Sequence, residues 1–172
     1  MTAIVIDTNV LVVADGKAPQ MSDACLNECL IRLERVKAKE QVVLDDAWMI
    51  MGEYQKNLTP NQSPTPGSAF LKWLLQVESV EEHVSRVTLT PLDREQTLFV
   101  EFPSDKKLEA AFDPADRKFV AAANAHPEKP PILESADSKW LGWEDQLNKH
   151  GIKVEVLCRG ELAAIRERKT KK

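Results

Sequence analysis

No stretch of this sequence approaches the eighteen or so consecutive apolar residues that a membrane-spanning helix requires. Positive charge is also short: 23 Lys and Arg against 27 Asp and Glu leave a net charge of -4. That excludes a wholly basic, histone-like nucleic-acid binder, though not a local basic groove. Cysteine is scarce and odd in number. Cys25, Cys29 and Cys158, with no signal peptide ahead of them, read as thiols of a reducing cytoplasm. Cys25 and Cys29, one helical turn apart, are expected as small core residues. His83, His126 and His150 are scattered, none at metal-ligand spacing, and there is no internal repeat. What the chain does have is an apolar fraction of 43% over 172 residues, enough for one domain with a single unstapled core.

The apolar residues fall into short runs and helical stripes. Ala3–Ile6 lacks alternation, as expected of a strand covered on both faces. From about Asp23 to Lys39, apolar residues recur at Leu26, Cys29, Leu30, Leu33 and Val36, leaving Arg32, Glu34, Arg35 and Lys37 for water. Val42–Leu44 suits a second strand, and Asp46 a cap for a helix from Ala47 to Leu58. The run TPNQSPTPG over 59–67 is a loop. Phe70–Val77 resumes a helical pattern, Val84–Leu89 reads as extended, and Pro91 suits the first turn of a helix reaching Phe102. DPADRKFVAAANAH predicts a helix capped by Asp113, PPILES a strand, SKWLGWEDQLNKHG a helix ended by Gly151, and IKVEVL a last strand. Strands separated by helices predict an α/β fold with a mostly parallel sheet, here over 1–158, followed by a basic tail over 159–172.

Four acids occupy telling places in that scheme. Ligands of open α/β sheets bind beyond the carboxyl ends of the strands. Asp7 follows the first strand, and Asp137 follows Ile132–Ser135 after one residue. Asp116 lies beside an apolar stripe of Phe119, Val120 and Ala123, and Glu53 beside Met49 and Ile50. Gathering four carboxylates is costly: two unit charges at about 4 Å repel by about 4 kcal/mol at an effective dielectric near 20. Protons or a divalent cation must offset this. Oxygen ligands without His or Cys suit Mg²⁺ or Mn²⁺ rather than Zn²⁺, and such a site suits phosphoryl chemistry. Singly, each acid also reads as a turn or cap residue.

With these pieces in order, the chain resembles the PIN-domain family of metal-dependent ribonucleases. The matching segments are IVIDTNVLV, Glu53 in AWMIMGEYQKNL, DRKFVAAANAH around Asp116, and ILESADSKW around Asp137, together reaching from about Ala3 to Leu157. Ser135 and Trp140 fall where that family tends to carry a hydroxyl residue and an aromatic. The resemblance implies a flavodoxin-like three-layer sandwich with a mostly parallel central sheet. It further implies an endoribonuclease in which Asp7, Glu53, Asp116 and Asp137 hold one or two Mg²⁺ or Mn²⁺ ions. Asn9 would brace the site and Ser135 would hydrogen-bond within it. Water would attack phosphorus in line, leaving a 5′-phosphate and a 3′-hydroxyl. Short relatives include toxins of bacterial toxin–antitoxin pairs, so the implied partners are RNA, an antitoxin or other inhibitory protein, and a second copy of the chain. The long segment between Glu53 and Asp116 and the basic tail depart from the compact pattern.

Arg117, Lys118 and Lys139 neighbour the acids and are the candidates for RNA-phosphate contact. Trp140 and Trp143 are expected to pack in the core or at an interface. Three other readings compete. One is a catalytically silent PIN-like module that binds RNA or protein. Another is a flap-type DNA nuclease, for which 172 residues leave little room. A strand-end aspartyl phosphatase would need an acid where Asn9 stands.

Overall fold

Thr2–Ile6 forms the central strand β1, and Ala3 to Ile6 are all buried, as a strand covered on both faces requires. The computed structural model describes residues 1–62 and 64–171. Ser63 of the proline-rich loop and Lys172 of the basic tail lie outside the described residues. Beside β1 run β2 (Glu40–Asp45) and β4 (Ile132–Glu134), with β3 (Val84–Val87) and β5 (Val154–Val156) at the edges. The order is β3-β2-β1-β4-β5 and every pairing is parallel. The protein is therefore α/β, a parallel five-stranded sheet flanked by helices. The order reverses at β1, so right-handed crossovers send the helices before β3 and those between β3 and β5 to opposite faces. No helix among the described residues is long and apolar enough to cross a membrane.

Asp7 ends β1 and caps α1 (Thr8–Ala14), its carboxylate accepting from Asn9 N at 3.4 Å. Helix α2 (Asp23–Lys39) opens on Ser22, whose hydroxyl accepts from Cys25 N at 3.1 Å. Arg32 is not on the watery face predicted for it. Its guanidinium is buried, donating to Glu40 at 2.5 and 3.1 Å and to Glu155 at 2.6 and 3.2 Å. It thereby ties α2 to β2 and β5, and the two carboxylates hold it firmly charged.

Asp45, rather than Asp46, organises the start of α3 (Met49–Asn57). It is buried and accepts from Ala47 N, Met49 N and Ile50 N at 3.1, 3.0 and 2.8 Å. Helix α4 (Pro66–Val77) begins inside the proline-rich segment, so Pro66 and Gly67, expected in the loop, form its first turn, with Pro at the position a helix start favours. The helix expected over 91–102 is absent. Asp93 captures Thr97 N at 2.8 Å and Leu98 N at 2.9 Å, closing a turn that withdraws those donors from a helix. A short α5 (Lys106–Ala111), capped by Asp105, comes next instead. A 3₁₀ turn over Pro114–Asp116 leads into α6 (Arg117–Ala125), and α7 (Lys139–Lys149) lies between β4 and β5. Trp140 is fully buried and Trp143 stacks on Phe112 with ring centroids 3.8 Å apart, so both pack in the core.

Residues 159–170 of the basic tail form α8 (Arg159–Thr170), docked through the buried Leu162 and through Arg159, which grips Glu144 at 2.7 and 2.6 Å. Cys158 precedes it and is joined to Cys25 by a disulfide, leaving Cys29 free and buried. This corrects the expectation of three reduced thiols. The 133 residues separating the pair hide it from any local reading of the sequence.

One close approach fixes α4 against α1. A Cβ on Gly67 would overlap Leu11 O and sit 2.7 Å from Asp15 Cβ. Beside it, Asp15 accepts from Ser68 N at 2.7 Å and from Ser68 Oγ at 3.2 Å. Gly67→Ala is accordingly expected to cost about 2–3 kcal/mol, a fall in Tm of roughly 4–12 °C, readable by calorimetry; an unchanged Tm would show that the helices part freely. Thiol titration of the denatured, unreduced chain is expected to count one free thiol, whereas three would mean that the Cys25–Cys158 bond does not form.

Candidate metal centre at the strand ends

The sheet order turns at β1 and β4, the position where α/β folds present ligands. Asp7 leaves β1 there, and Glu134 and Asp137 leave β4. Asp7 is buried, and that burial, with the charges of Asp116, Glu53 and Asp137, raises its pKa well above the carboxylate range. Tyr54 seals the floor, its buried hydroxyl donating to Ile6 O at 2.6 Å. Thr8 donates to Glu53 across the gap between α1 and α3.

Asp116, on the 3₁₀ turn before α6, has its pKa pushed up to about 7 by burial, then by Asp137, Asp113 and Glu53. One carboxylate oxygen each of Asp113, Asp116 and Asp137 lies within 4.8 Å of the others. Asp137 also starts α7, accepting from Lys139 N at 3.0 Å. Of the four acids expected from sequence, Asp116 and Asp137 converge with Asp113, while Asp7 and Glu53 lie near enough for their charges to be felt within the group.

Two further acids belong to this group. Asp113 was assigned only a capping role by sequence, but its carboxylate completes the trio with Asp116 and Asp137. Glu134 is fully buried, with Oε1 accepting from Asp137 N at 2.9 Å. Its Oε2 finds no donor and lies against Asp7, and burial followed by the Asp7 charge raises its pKa well above normal. Burial and mutual repulsion thus hold both carboxyls toward their neutral forms. The signal was an acid within the apolar run ILE, in a strand with both faces covered.

The expected supporting residues divide. Asn9 braces Asp7 through its backbone N–H. Ser135 is buried on the other side of β4, its hydroxyl 3.5 Å from Cys25 Sγ and 3.8 Å from Cys158 Sγ. Arg117 donates to the carbonyls of Glu109 and Thr97 at 3.1 and 3.3 Å, securing α5 and the Asp93 turn rather than facing the acids. Lys118 meets Glu53 at 2.6 Å and Lys139 meets Asp113 at 2.8 Å, so each lysine offsets one carboxylate.

The donors suit a hard divalent cation. They are oxygens only, three of them converge, and Asp116 is held toward its neutral form by burial and by neighbouring carboxylates. No family model, curated protein or solved structure matches the chain.

The Asp116 shift fixes a sign for stability. The native carboxyl keeps its proton up to about pH 7, the unfolded one only to roughly pH 4. Across that window the native state binds more protons, so this group lowers stability as pH rises. Asp116→Asn is expected to remove part of that decline and to stabilise the metal-free protein at pH 8 by on the order of 1–2 kcal/mol. Thermal melts in chelator at pH 5 and pH 8 test this; parallel profiles for mutant and wild type would contradict it.

Proposed function

We propose that the protein is a Mg²⁺- or Mn²⁺-dependent endoribonuclease of the PIN type. The observation that carries the reading is the convergence of Asp113, Asp116 and Asp137, with Asp7 and Glu53 close enough for their charges to be felt there, at the turning point of a parallel sheet. The order of those acids and their placement, two at strand ends and two on helical elements, support the family likeness.

On this reading Asp113, Asp116 and Asp137 hold the cation, with Asp7 and Glu53 completing its surroundings. A bound Mg²⁺ or Mn²⁺ supplies charge neutralisation at the phosphate and lowers the pKa of water, so a histidine base is not needed. The chain's own groups prepare the site. Asp7 and Glu134 are both held toward their neutral forms, which lets the pair stay buried. Asp116 sheds its proton near neutrality, so cation affinity rises through about pH 7. Lys118 and Lys139, at the edge of the acids, turn to RNA phosphates when a cation replaces them as countercharge. A protein inhibitor belongs to the same proposal.

A second reading has one observation in its favour. Lys118 and Lys139 already offset two of the carboxylates, as a catalytically silent binding module would require. Cleavage decides between them. With mixed-sequence single-stranded RNA, the nuclease reading expects product with Mn²⁺ or Mg²⁺, none with chelator, and a loss of about 10²-fold or more in rate for folded Asp7→Asn. RNA left intact in every metal, together with no Mn²⁺ binding by calorimetry, would transfer the assignment to the silent module.

A further inference from the structure

A cleft of ≈ 610 Å³ opens between α3 and the turn closed by Asp93, with Glu53 and Lys118 forming its inner wall. Both side chains belong to the acidic centre, so the cleft and the centre share a boundary. Its size falls within the range of about 300–1,000 Å³ usual for small-ligand sites.

The outer wall carries Trp48, the one exposed tryptophan among the described residues, at 40% exposure. Its indole is not loose. Nε1 donates to Gln55 Oε1 at 2.8 Å, and Cδ1 passes 3.8 Å from the place a Cβ on Gly52 would occupy. The ring therefore lies along the surface of α3, supported by the helix on one side and open to solvent on the other.

The backbone holds it there against preference. Trp48 has φ 65°, in the left-handed region that a side chain of this bulk seldom adopts. The buried Asp45 enforces it by accepting from the N–H groups on either side, those of Ala47 and Met49. Across the cleft, Gln96 is likewise left-handed, at φ 57°. Strain of this kind persists where the surrounding structure over-determines it, and it gathers at binding sites.

We propose that this cleft is a nucleobase subsite for single-stranded RNA, with Trp48 as the stacking platform. A flat, sequence-tolerant π-face is what an unpaired base requires. Lys56 and Lys118 set positive charge against Glu53 and Glu95 along the walls, Lys118 being paired with Glu53. The amide of Gln96, and that of Asn57 beyond the one N–H it gives to Glu53 O, can donate to and accept from a base edge. A base seated on Trp48 brings its own phosphate toward Glu53 and Lys118, and so toward the acids. The subsite rests on the ribonuclease reading for its purpose, but its existence is separately testable.

The experiment measures binding by fluorescence anisotropy, in chelator so that nothing is cut. The probes are a short mixed-sequence single-stranded RNA and an abasic strand of the same length. Trp48→Ala is expected to weaken binding of the intact RNA by about 5- to 150-fold, the equivalent of about 1–3 kcal/mol per stacked base. Trp48→Phe should restore most of it. The abasic strand should bind weakly to wild type and lose nothing further in Trp48→Ala. Thermal melts and Mn²⁺ titration of both variants, expected to match wild type, exclude misfolding and damage to the acids.

Equal binding by wild type and Trp48→Ala overturns the subsite, as does an equal loss on both strands. So does the absence of RNA binding by wild type, which would leave Trp48 as a protein-docking residue. The two readings fail separately. Trp48-dependent binding without cleavage in any metal keeps the subsite and sinks the nuclease. Mn²⁺-dependent cleavage with unchanged KM and kcat in Trp48→Ala does the reverse.

Discussion

Mutual repulsion among carboxylates at the ends of β1 and β4 is the constraint on which the rest of the architecture depends. Four of the acids are tolerated because another part of the chain supplies a partner. Asp7 relies on the N–H of Asn9 in α1, and Glu53 on Thr8 and Lys118. Glu134 relies on the N–H of Asp137, and Asp113 on Lys139. None of these supports works unless the sheet register is right. A slip of one residue in β4 would exchange the faces of Leu133 and Glu134 and put a carboxyl where a core side chain belongs.

The cost of this arrangement is visible in the protonation of its members. Asp7, Asp116 and Glu134 are all held toward their neutral forms by burial and by one another. Much of the surrounding packing is correspondingly strong. The buried Arg32 joins three elements, and Phe112 with Trp140 and Trp143 forms an aromatic cluster behind α7. A rigid frame of this kind keeps like charges close together when they would otherwise separate.

Much of the frame was legible in the chain itself. The unbroken apolar run Ala3–Ile6 marks a doubly covered strand, and the stripe from Leu26 to Val36 marks α2 with both ends correct. The four acids could be placed because each stands at an element boundary or on an apolar face. What escaped depended on distance or on side-chain capture. Arg32 looks solvent-facing by periodicity, because its partner Glu155 lies 123 residues away. Glu134 belongs to the site only because β4 lies beside β1, which brings its buried carboxyl against Asp7, far away in sequence. The missing helix after Pro91 was lost to the carboxylate of Asp93, a competition that apolar spacing does not register. Trp48, φ 65° and all, is invisible to any pattern of hydrophobicity.

The proline-rich loop that separates this chain from a more compact layout is closed at its base. Thr59 N donates to Ser68 Oγ at 3.2 Å, and Ser68 is itself clamped on Asp15. The ends of the excursion are thus pinned to each other and to α1, whatever lies between them. Chain length can change there at a closure cost of only about 0.6 kcal/mol per doubling. The loop is a natural port, a place where evolution or an engineer can graft an extra module without disturbing the carboxylates.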